Sequence, residues 1–146
     1  MAQVAAQAQS GAVDRGTNPD VQGQKGRLLL VEDNKVNQMV ARAKLELLGH
    51  DVEIAENGVE AVAAVTEHDF DLILMDVQMP LMDGIEATQR IREMPDAGKS
   101  GVTIVALTAN AMKGDEERFL KAGMNDYLTK PIDSDALHRV LTRWLG

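Results

Sequence analysis

The sequence has no cysteine, so it can form no disulfide bridge, no thiol nucleophile and no cysteine-ligated zinc site. It also has no apolar run near the ~18 residues that a bilayer-spanning helix needs. The N-terminus lacks the basic start and the continuous apolar stretch of a secretory signal. These absences predict a cytoplasmic protein without membrane contact, in which any nucleophile is an oxygen or nitrogen group.

Basic residues are in the minority, with 15 Lys and Arg against 23 Asp and Glu and a net charge of −8. A nucleic-acid surface normally needs clustered positive charge, so this balance argues against nucleic-acid binding. An acidic chain suits cations and basic partner surfaces instead. Hydrophobic residues at 45% are typical of a globular protein, and 146 residues are enough for one domain with a buried core.

Residues 1–26 have the composition of a linker, rich in Ala, Gln and Gly and without apolar periodicity. Their four charges cancel, so the net charge belongs to the rest of the chain. We predict that residues 1–26 form a disordered tail or linker. Residues 27–146 are predicted to form the folded domain.

Short apolar runs alternate with longer amphipathic stretches from Arg27 onward. The runs that suit strands are 27–31, 51–55, 71–76, 102–108 and 126–129. Three of them, with the sequences LLLV, LILM and VTIVAL, are nearly continuous in apolar character, which indicates strands buried on both faces of a parallel sheet. The run DVEIA alternates instead, which favours an edge strand.

The stretches between and after the strands predict helices. In the first helix, Asn34 is the expected N-cap and Gly49 the expected C-terminal stop. One stripe of this helix, part of which we expect to pack inward, consists of Val36, Val40, Ala43 and Leu47. The other helices are predicted at 58–67, 84–93, 113–122 and 134–145. This (βα)5 order predicts an α/β doubly wound sheet of five parallel strands in the flavodoxin-like order 2-1-3-4-5.

Polar side chains end or directly follow the predicted strands, at the edge where sites form in such sheets. These residues are Glu32, Asp33, Asp76, Thr108, and Lys130 with Pro131 after it. Three carboxylates brought together repel each other, and a divalent cation would neutralise them. Mg²⁺ is the natural candidate, because it prefers oxygen ligands and is usually completed by water and phosphate oxygens.

The remaining groups at this edge suit a phosphoryl group. Lys130 offers a point charge and Thr108 a hydroxyl donor. Because the chain has no thiol, Asp76 is the group positioned to attack phosphorus and form an acyl phosphate.

These motifs also carry a family resemblance. The segments LLLVEDNKVNQ, DLILMDVQMPLMDG, IVALTANAM and AGMNDYLTKPI resemble the receiver domain of two-component response regulators, particularly the receivers of hybrid histidine kinases. By this resemblance, Glu32 and Asp33 would hold Mg²⁺, with the backbone carbonyl of Gln78 completing the protein ligands. Asp76 would be the phosphoacceptor.

The resemblance implies roles for three further positions. Thr108 resembles the residue that bonds the phosphoryl oxygen on activation, Lys130 the phosphate-binding lysine, and Tyr127 the aromatic switch residue. The Lys130–Pro131 bond resembles the family's cis peptide. We expect phosphorylation to draw the Thr108 hydroxyl toward Asp76 and so change, through Tyr127, the face made by the last two predicted helices and the last strand.

The function implied is that of a signalling domain and not of an enzyme with a separate substrate. It would take a phosphoryl group from a histidine kinase or histidine phosphotransfer domain, hydrolyse it slowly, and signal to a downstream partner or a parent hybrid kinase. The expected donor surface flanks the opening above Asp76 and comprises Asn34, Val36, Asn37, Val40 and Pro131.

Two rival functions are less well supported. A haloacid-dehalogenase-type phosphatase would carry a second Asp two residues after its nucleophile, where this chain has Gln78. A flavodoxin-like flavin carrier would need a Ser/Thr-rich first loop and aromatic residues around the ring, and the chain has four aromatic residues in all. Neither a Walker A motif nor a G-x-G-x-x-G turn is present to bind a nucleotide.

Overall fold

The computed structural model describes residues 26–109 and 114–145. Its strands are β1 Arg27–Val31, β2 Asp51–Ala55, β3 Leu72–Asp76, β4 Thr103–Thr108 and β5 Asp126–Thr129. All pairings are parallel, and the order β2-β1-β3-β4-β5 confirms the predicted topology. The predicted tail lies outside the described residues except for Gly26.

Six helices are present in the described part of the chain. They are α1 Lys35–Leu47, α2 Gly58–Glu67, α3 Gly84–Arg92, α4 Ala97–Ser100, α5 Asp115–Ala122 and α6 Ser134–Leu145. Five match the predicted helices to within two residues at each end. The sequence did not predict α4, because its four residues are too few to show a period; the Asp96 side chain starts it by accepting from the backbone N–H of Gly98 and Lys99.

The two faces of the sheet pack against different helices. Helices α2, α3 and α5 cover one face and α1 and α6 the other. In β1, Leu28 and Leu30 enter the core on the second face, while Leu29 and Val31 enter the core on the first. The continuous apolar run of β1 is therefore buried on both sides, as predicted.

Helix α1 presents a different face to the core from the one expected. Its buried residues are Gln38, Ala41 and Leu45. The predicted stripe points outward instead, with Val36 at 66% exposure and Leu47 at 86%. The expectation that part of this stripe packs inward is wrong, because the core-facing row contains Gln38, whose polar side chain hides the apolar period.

The loop after β3 is fixed by a glycine. A Cβ atom on Gly84, the first residue of α3, would lie 2.2 Å from the carbonyl oxygen of Asp76. The side chain of Asp83 caps the same helix by accepting from the N–H of Glu86 at 2.8 Å. The start of α3 is thereby held directly against the end of β3, which fixes the backbone of Asp76.

Among the described residues, no helix combines the length and the apolar character needed to cross a membrane.

Candidate functional site

Asp76 lies at the end of β3 with both carboxylate oxygens engaged. Asp76 is only 2% exposed. Oδ1 accepts from the backbone N–H of Gln78 at 3.0 Å, and Oδ2 accepts from Nζ of Lys130 at 2.7 Å. These two bonds orient the carboxylate toward the edge of the sheet.

Glu32 is equally buried and equally held. Its Oε1 lies 3.0 Å from Nζ of Lys130, and Oε2 accepts from the N–H of Asn34 at 3.2 Å. Its main-chain carbonyl accepts from Nε2 of Gln38 at 2.6 Å. The adjacent Asp33 is exposed, so the acidic pair has one buried and one solvent-facing member.

The predicted acidic residues come together. Glu32, Asp33 and Asp76 each offer a carboxylate oxygen, and these atoms lie within 4.8 Å of one another. Ligands on opposite sides of an octahedral Mg²⁺ are about 4 Å apart, since each bond is about 2.1 Å long. The donor set therefore fits a small hard cation with only a slight contraction. Its oxygen-only chemistry favours Mg²⁺ over softer metals.

Lys130 pairs with two of these three carboxylates, those of Asp76 and Glu32. Burial of the ammonium opposes its charge, but the hydrogen bonds and attraction from Asp76 and Glu32 outweigh that effect and raise the pKa of Lys130. The lysine is therefore charged at neutral pH. It follows β5 directly, and its backbone N–H donates to the carbonyl of Thr108 at 2.8 Å. The Lys130–Pro131 peptide is cis, as the resemblance implied.

Thr108 and Tyr127 lie on the same face of the sheet. Thr108 is buried at the end of β4, one residue beyond Leu107, which is in register with Asp76. Tyr127 is in register with Ala106 on β5, and side chains alternate with a period of two. The half-buried ring of Tyr127 lies 6.4 Å from that of Phe119 on α5. The two predicted switch residues thus lie on neighbouring strands, one near the acidic cluster and one against α5.

Of the five residues predicted as a donor surface, Asn37, Val40 and Pro131 line a groove together with Glu32 and Lys130 of the site. Four belong to the start of α1 and its cap, namely Asn34, Val36, Asn37 and Val40, and all are exposed. Pro131 is exposed on the other side of Lys130. The sequence had not pointed to Gln38 and Lys44, which link α1 to the two segments that carry the site. The only local signal for Gln38 was its position in the buried row with Ala41 and Leu45.

A family model for the response regulator receiver domain matches residues 28–142. The chain is 43% identical to sensor protein GacS of Pseudomonas syringae over 136 residues, which are 92% of this chain and 15% of GacS. It is 44% identical to the signal transduction histidine-protein kinase BarA of Escherichia coli K12 over 117 residues, which are 80% of this chain and 12% of BarA. The chain therefore spans a small part of these relatives.

Solved structures agree with the sequence matches. The receiver domain of sensor histidine kinase PA1611 from Pseudomonas aeruginosa, with a magnesium ion coordinated in its active-site cleft, has a TM-score of 0.76 and 47% identity, covering 84% of this chain and 98% of that one. The receiver domain of Saccharomyces cerevisiae Ssk1, from its co-crystal with the histidine phosphotransfer protein Ypd1, gives a TM-score of 0.77 at 38% identity, covering 83% and 89%. With the fold, the acidic edge and the family model in agreement, this chain belongs to the response regulator receiver domain family.

Proposed function

We propose that this receiver domain accepts a phosphoryl group on Asp76 from a phosphohistidine, with Mg²⁺ held by carboxylates of Glu32, Asp33 and Asp76 and by the Gln78 carbonyl. The observation that carries the proposal is a buried carboxylate at a strand end, oriented by two hydrogen bonds and surrounded by two further acids and one lysine. Receiver domains are the signalling domains of two-component phosphorelays.

The transfer forms one bond and breaks one. A carboxylate oxygen of Asp76 attacks phosphorus, the P–N bond of the phosphohistidine breaks, and the donor imidazole keeps the electron pair and takes a proton from solvent. The charged Lys130 remains beside Asp76 and Glu32 and stabilises the negative phosphoryl oxygens. When bound, Mg²⁺ would offset the remaining negative charge of the carboxylates and the phosphoryl group.

Slow hydrolysis ends the signal in this proposal. Water attacks the acyl phosphate, releasing inorganic phosphate and restoring the Asp76 carboxylate. The exposed side of the cluster at Asp33 gives water access to it.

The donor is a histidine kinase or a histidine phosphotransfer domain that docks on α1 and Pro131. The structural relative solved with a histidine phosphotransfer protein supports this class of donor. On the output side, the Thr108 hydroxyl moves to the phosphoryl group and Tyr127 follows, which changes the face made by α5, β5 and α6. That face signals to a downstream partner or to a parent hybrid kinase, the kind of protein that the sequence relatives represent.

The test is phosphorylation by acetyl phosphate, a small donor that needs no docking surface. Intact-protein mass spectrometry should show one added phosphoryl group on the wild-type chain when Mg²⁺ is present and none after EDTA. Asp76→Asn should abolish the addition. The matched control is Asp83→Asn, because Asp83 lies in the same loop and asparagine also caps a helix.

Full phosphorylation of Asp76→Asn would assign the acceptor elsewhere. Equal phosphorylation with and without Mg²⁺ would contradict the proposed metal requirement.

A further inference from the structure

A groove of about 180 Å³ runs beside the acidic cluster, between α1 and the segment that follows β5. Val40 and Ala41 line its α1 wall, and Pro131 and Ile132 line the opposite wall. Its base includes Glu32, which belongs to the cluster. Because Glu32 and Lys130 line the groove and also belong to the site, a protein that docks over Asp76 can contact the groove.

The two walls are joined by one polar contact. Nζ of Lys44, on the last turns of α1, donates to the carbonyl oxygen of Ile132 at 2.6 Å. Such a bond from a charged donor is stronger than a neutral one. Among the described ion pairs, none gives Lys44 an acidic partner. The lysine is half-buried and serves to tie the wall at Ile132 to α1.

The position of Lys130 does not depend on this contact. Lys130 is held by Asp76 at 2.7 Å and by Glu32 at 3.0 Å. The acidic segment has its own link to α1, through Gln38 and the carbonyl of Glu32 at 2.6 Å. Loss of the Lys44 bond would therefore loosen the groove wall while the charged groups at Asp76 keep their partners.

We propose that the Lys44–Ile132 contact sets the width of a groove that receives one apolar side chain of the phosphohistidine-bearing donor protein. Lys44 is then a positioning residue for docking and not for phosphoryl chemistry. This inference rests on the proposed function, since the occupant is the protein donor of that reaction.

The dimensions and surroundings of the groove favour this occupant. Its volume of about 180 Å³ exceeds the ~150 Å³ of a cavity that holds benzene, so one aliphatic or aromatic side chain fits. The apolar lining continues onto the exposed surface of α1 at Val36, which is 66% exposed, and Val40, at 48%. A donor protein that lies on this surface can place one side chain in the groove while its phosphohistidine faces Asp76.

The experiment compares a protein donor with a small one on the same variant. The protein donor is a phosphorylated histidine phosphotransfer protein. It is the member of a panel, beginning with Ypd1, that transfers its phosphoryl group to the wild-type chain at the highest rate. The small donor is acetyl phosphate. Lys44→Met should raise KM for the protein donor roughly tenfold, because a groove wall that is no longer tied to α1 fits the donor side chain less well. The rate with acetyl phosphate should stay within about twofold of wild type, because Lys130 keeps both carboxylates. Lys44→Arg, which can still donate to the carbonyl, should restore the protein-donor KM.

The matched control is Lys99→Met. Nζ of Lys99 also donates to backbone carbonyls, those of Val65 at 2.7 Å and His68 at 3.1 Å, but at the C-terminal end of α2. This variant should leave both donors unaffected.

Equal losses with both donors would show that Lys44 acts on the chemistry, and an unchanged KM would show that the groove is not used; either result overturns the inference. A wild-type chain that accepts no phosphoryl group from any protein donor would overturn it too. Failure of the proposed function would be seen separately, as failure of the wild-type chain to react with acetyl phosphate.

Discussion

The two ends of the parallel sheet each hold a partly buried cation, and the two cations have opposite kinds of partner. At the carboxyl end, Lys130 is bound by the carboxylates of Asp76 and Glu32. At the amino end, Arg92 donates to the backbone carbonyls of Ser100, Val102 and Gly123 and to the side-chain oxygen of Asn125, at 2.6–2.9 Å. One cation faces charged groups and the other faces neutral ones.

The electrostatic consequences differ in sign. Burial lowers the pKa of Arg92, because its neutral acceptors do not offset the lost hydration of the charge. For Lys130 the carboxylates more than offset burial, and the pKa is raised. The carboxylates can also bind an incoming metal ion and the lysine an incoming phosphoryl group, whereas the backbone carbonyls at the strand starts are fixed by the fold. From this comparison we expect the charged groups at the carboxyl end to be available to bind a metal ion or a phosphoryl group, and Arg92 at the amino end to stabilise the fold.

The largest effect expected from this comparison is on stability at Arg92. Arg92→Met should lower the free energy of unfolding by about 2–4 kcal/mol, because the acceptors around it lose a charged donor. Arg90→Met is the control, since Arg90 makes an exposed pair with Glu86 one turn away and should cost under about 0.5 kcal/mol. Urea unfolding measures both. If the free energies of unfolding of the two variants differ by less than about 1 kcal/mol, the predicted stabilising role of Arg92 is wrong.

A smaller effect is expected at the acidic cluster, where removal of a charged side chain should raise the stability of the metal-free protein and not lower it. Asp33→Ala should weaken Mg²⁺ binding on the order of tenfold, because one of the three carboxylates is removed. Without metal the variant should melt at a slightly higher temperature than wild type, since like-charge repulsion is relieved. Isothermal titration and thermal unfolding with and without Mg²⁺ give both values.

Asp83→Ala is not a suitable control here, because it removes a helix cap; Asp83→Asn keeps the cap and should leave Mg²⁺ affinity unchanged. Unaltered affinity in Asp33→Ala would mean that the cation lies elsewhere.

The sequence predicted the carboxyl end better than the amino end. Glu32 and Asp33 follow the apolar strand β1 and Asp76 ends the apolar strand β3, so the parallel order alone predicts that they meet. The sequence predicted the sheet equally well, because the runs of β1, β3 and β4 are too apolar to lie at the surface. The roles of the individual site residues remain predictions.

What the sequence could not show are polar contacts between distant segments. Arg92 is one charged residue of a helix end, and its partners lie 8 to 33 residues further on. Lys44 meets a carbonyl 88 residues away. Nothing local distinguishes these side chains from solvent-facing ones. The outward face of α1 was misjudged for the same reason, since Gln38 is buried by its bond to Glu32 and not by hydrophobicity.

The smallest effect expected is a pH dependence at the amino end, where His50 is buried beside the start of β1. Its Nδ1 accepts from the N–H of Gly26 at 3.0 Å. Burial lowers the pKa of His50, and the nearby carboxylates of Asp71 and Asp51 oppose that shift only in part. A protonated Nδ1 cannot accept the bond, so the fold favours the neutral ring.

Because the pKa is lower in the folded chain than the ordinary 6.5, the contribution of His50 to stability is present above about pH 6.5. It is lost as the pH falls through the folded value, with a slope of at most about 1.4 kcal/mol per pH unit for one proton. His50→Asn keeps an acceptor near the Nδ1 position without the titration. The stability of wild type relative to this variant should therefore decline between pH 7.5 and pH 5.5. A flat difference for His50→Asn, or one that rises toward low pH, would show that the neutral ring is not what holds Gly26 at the amino end.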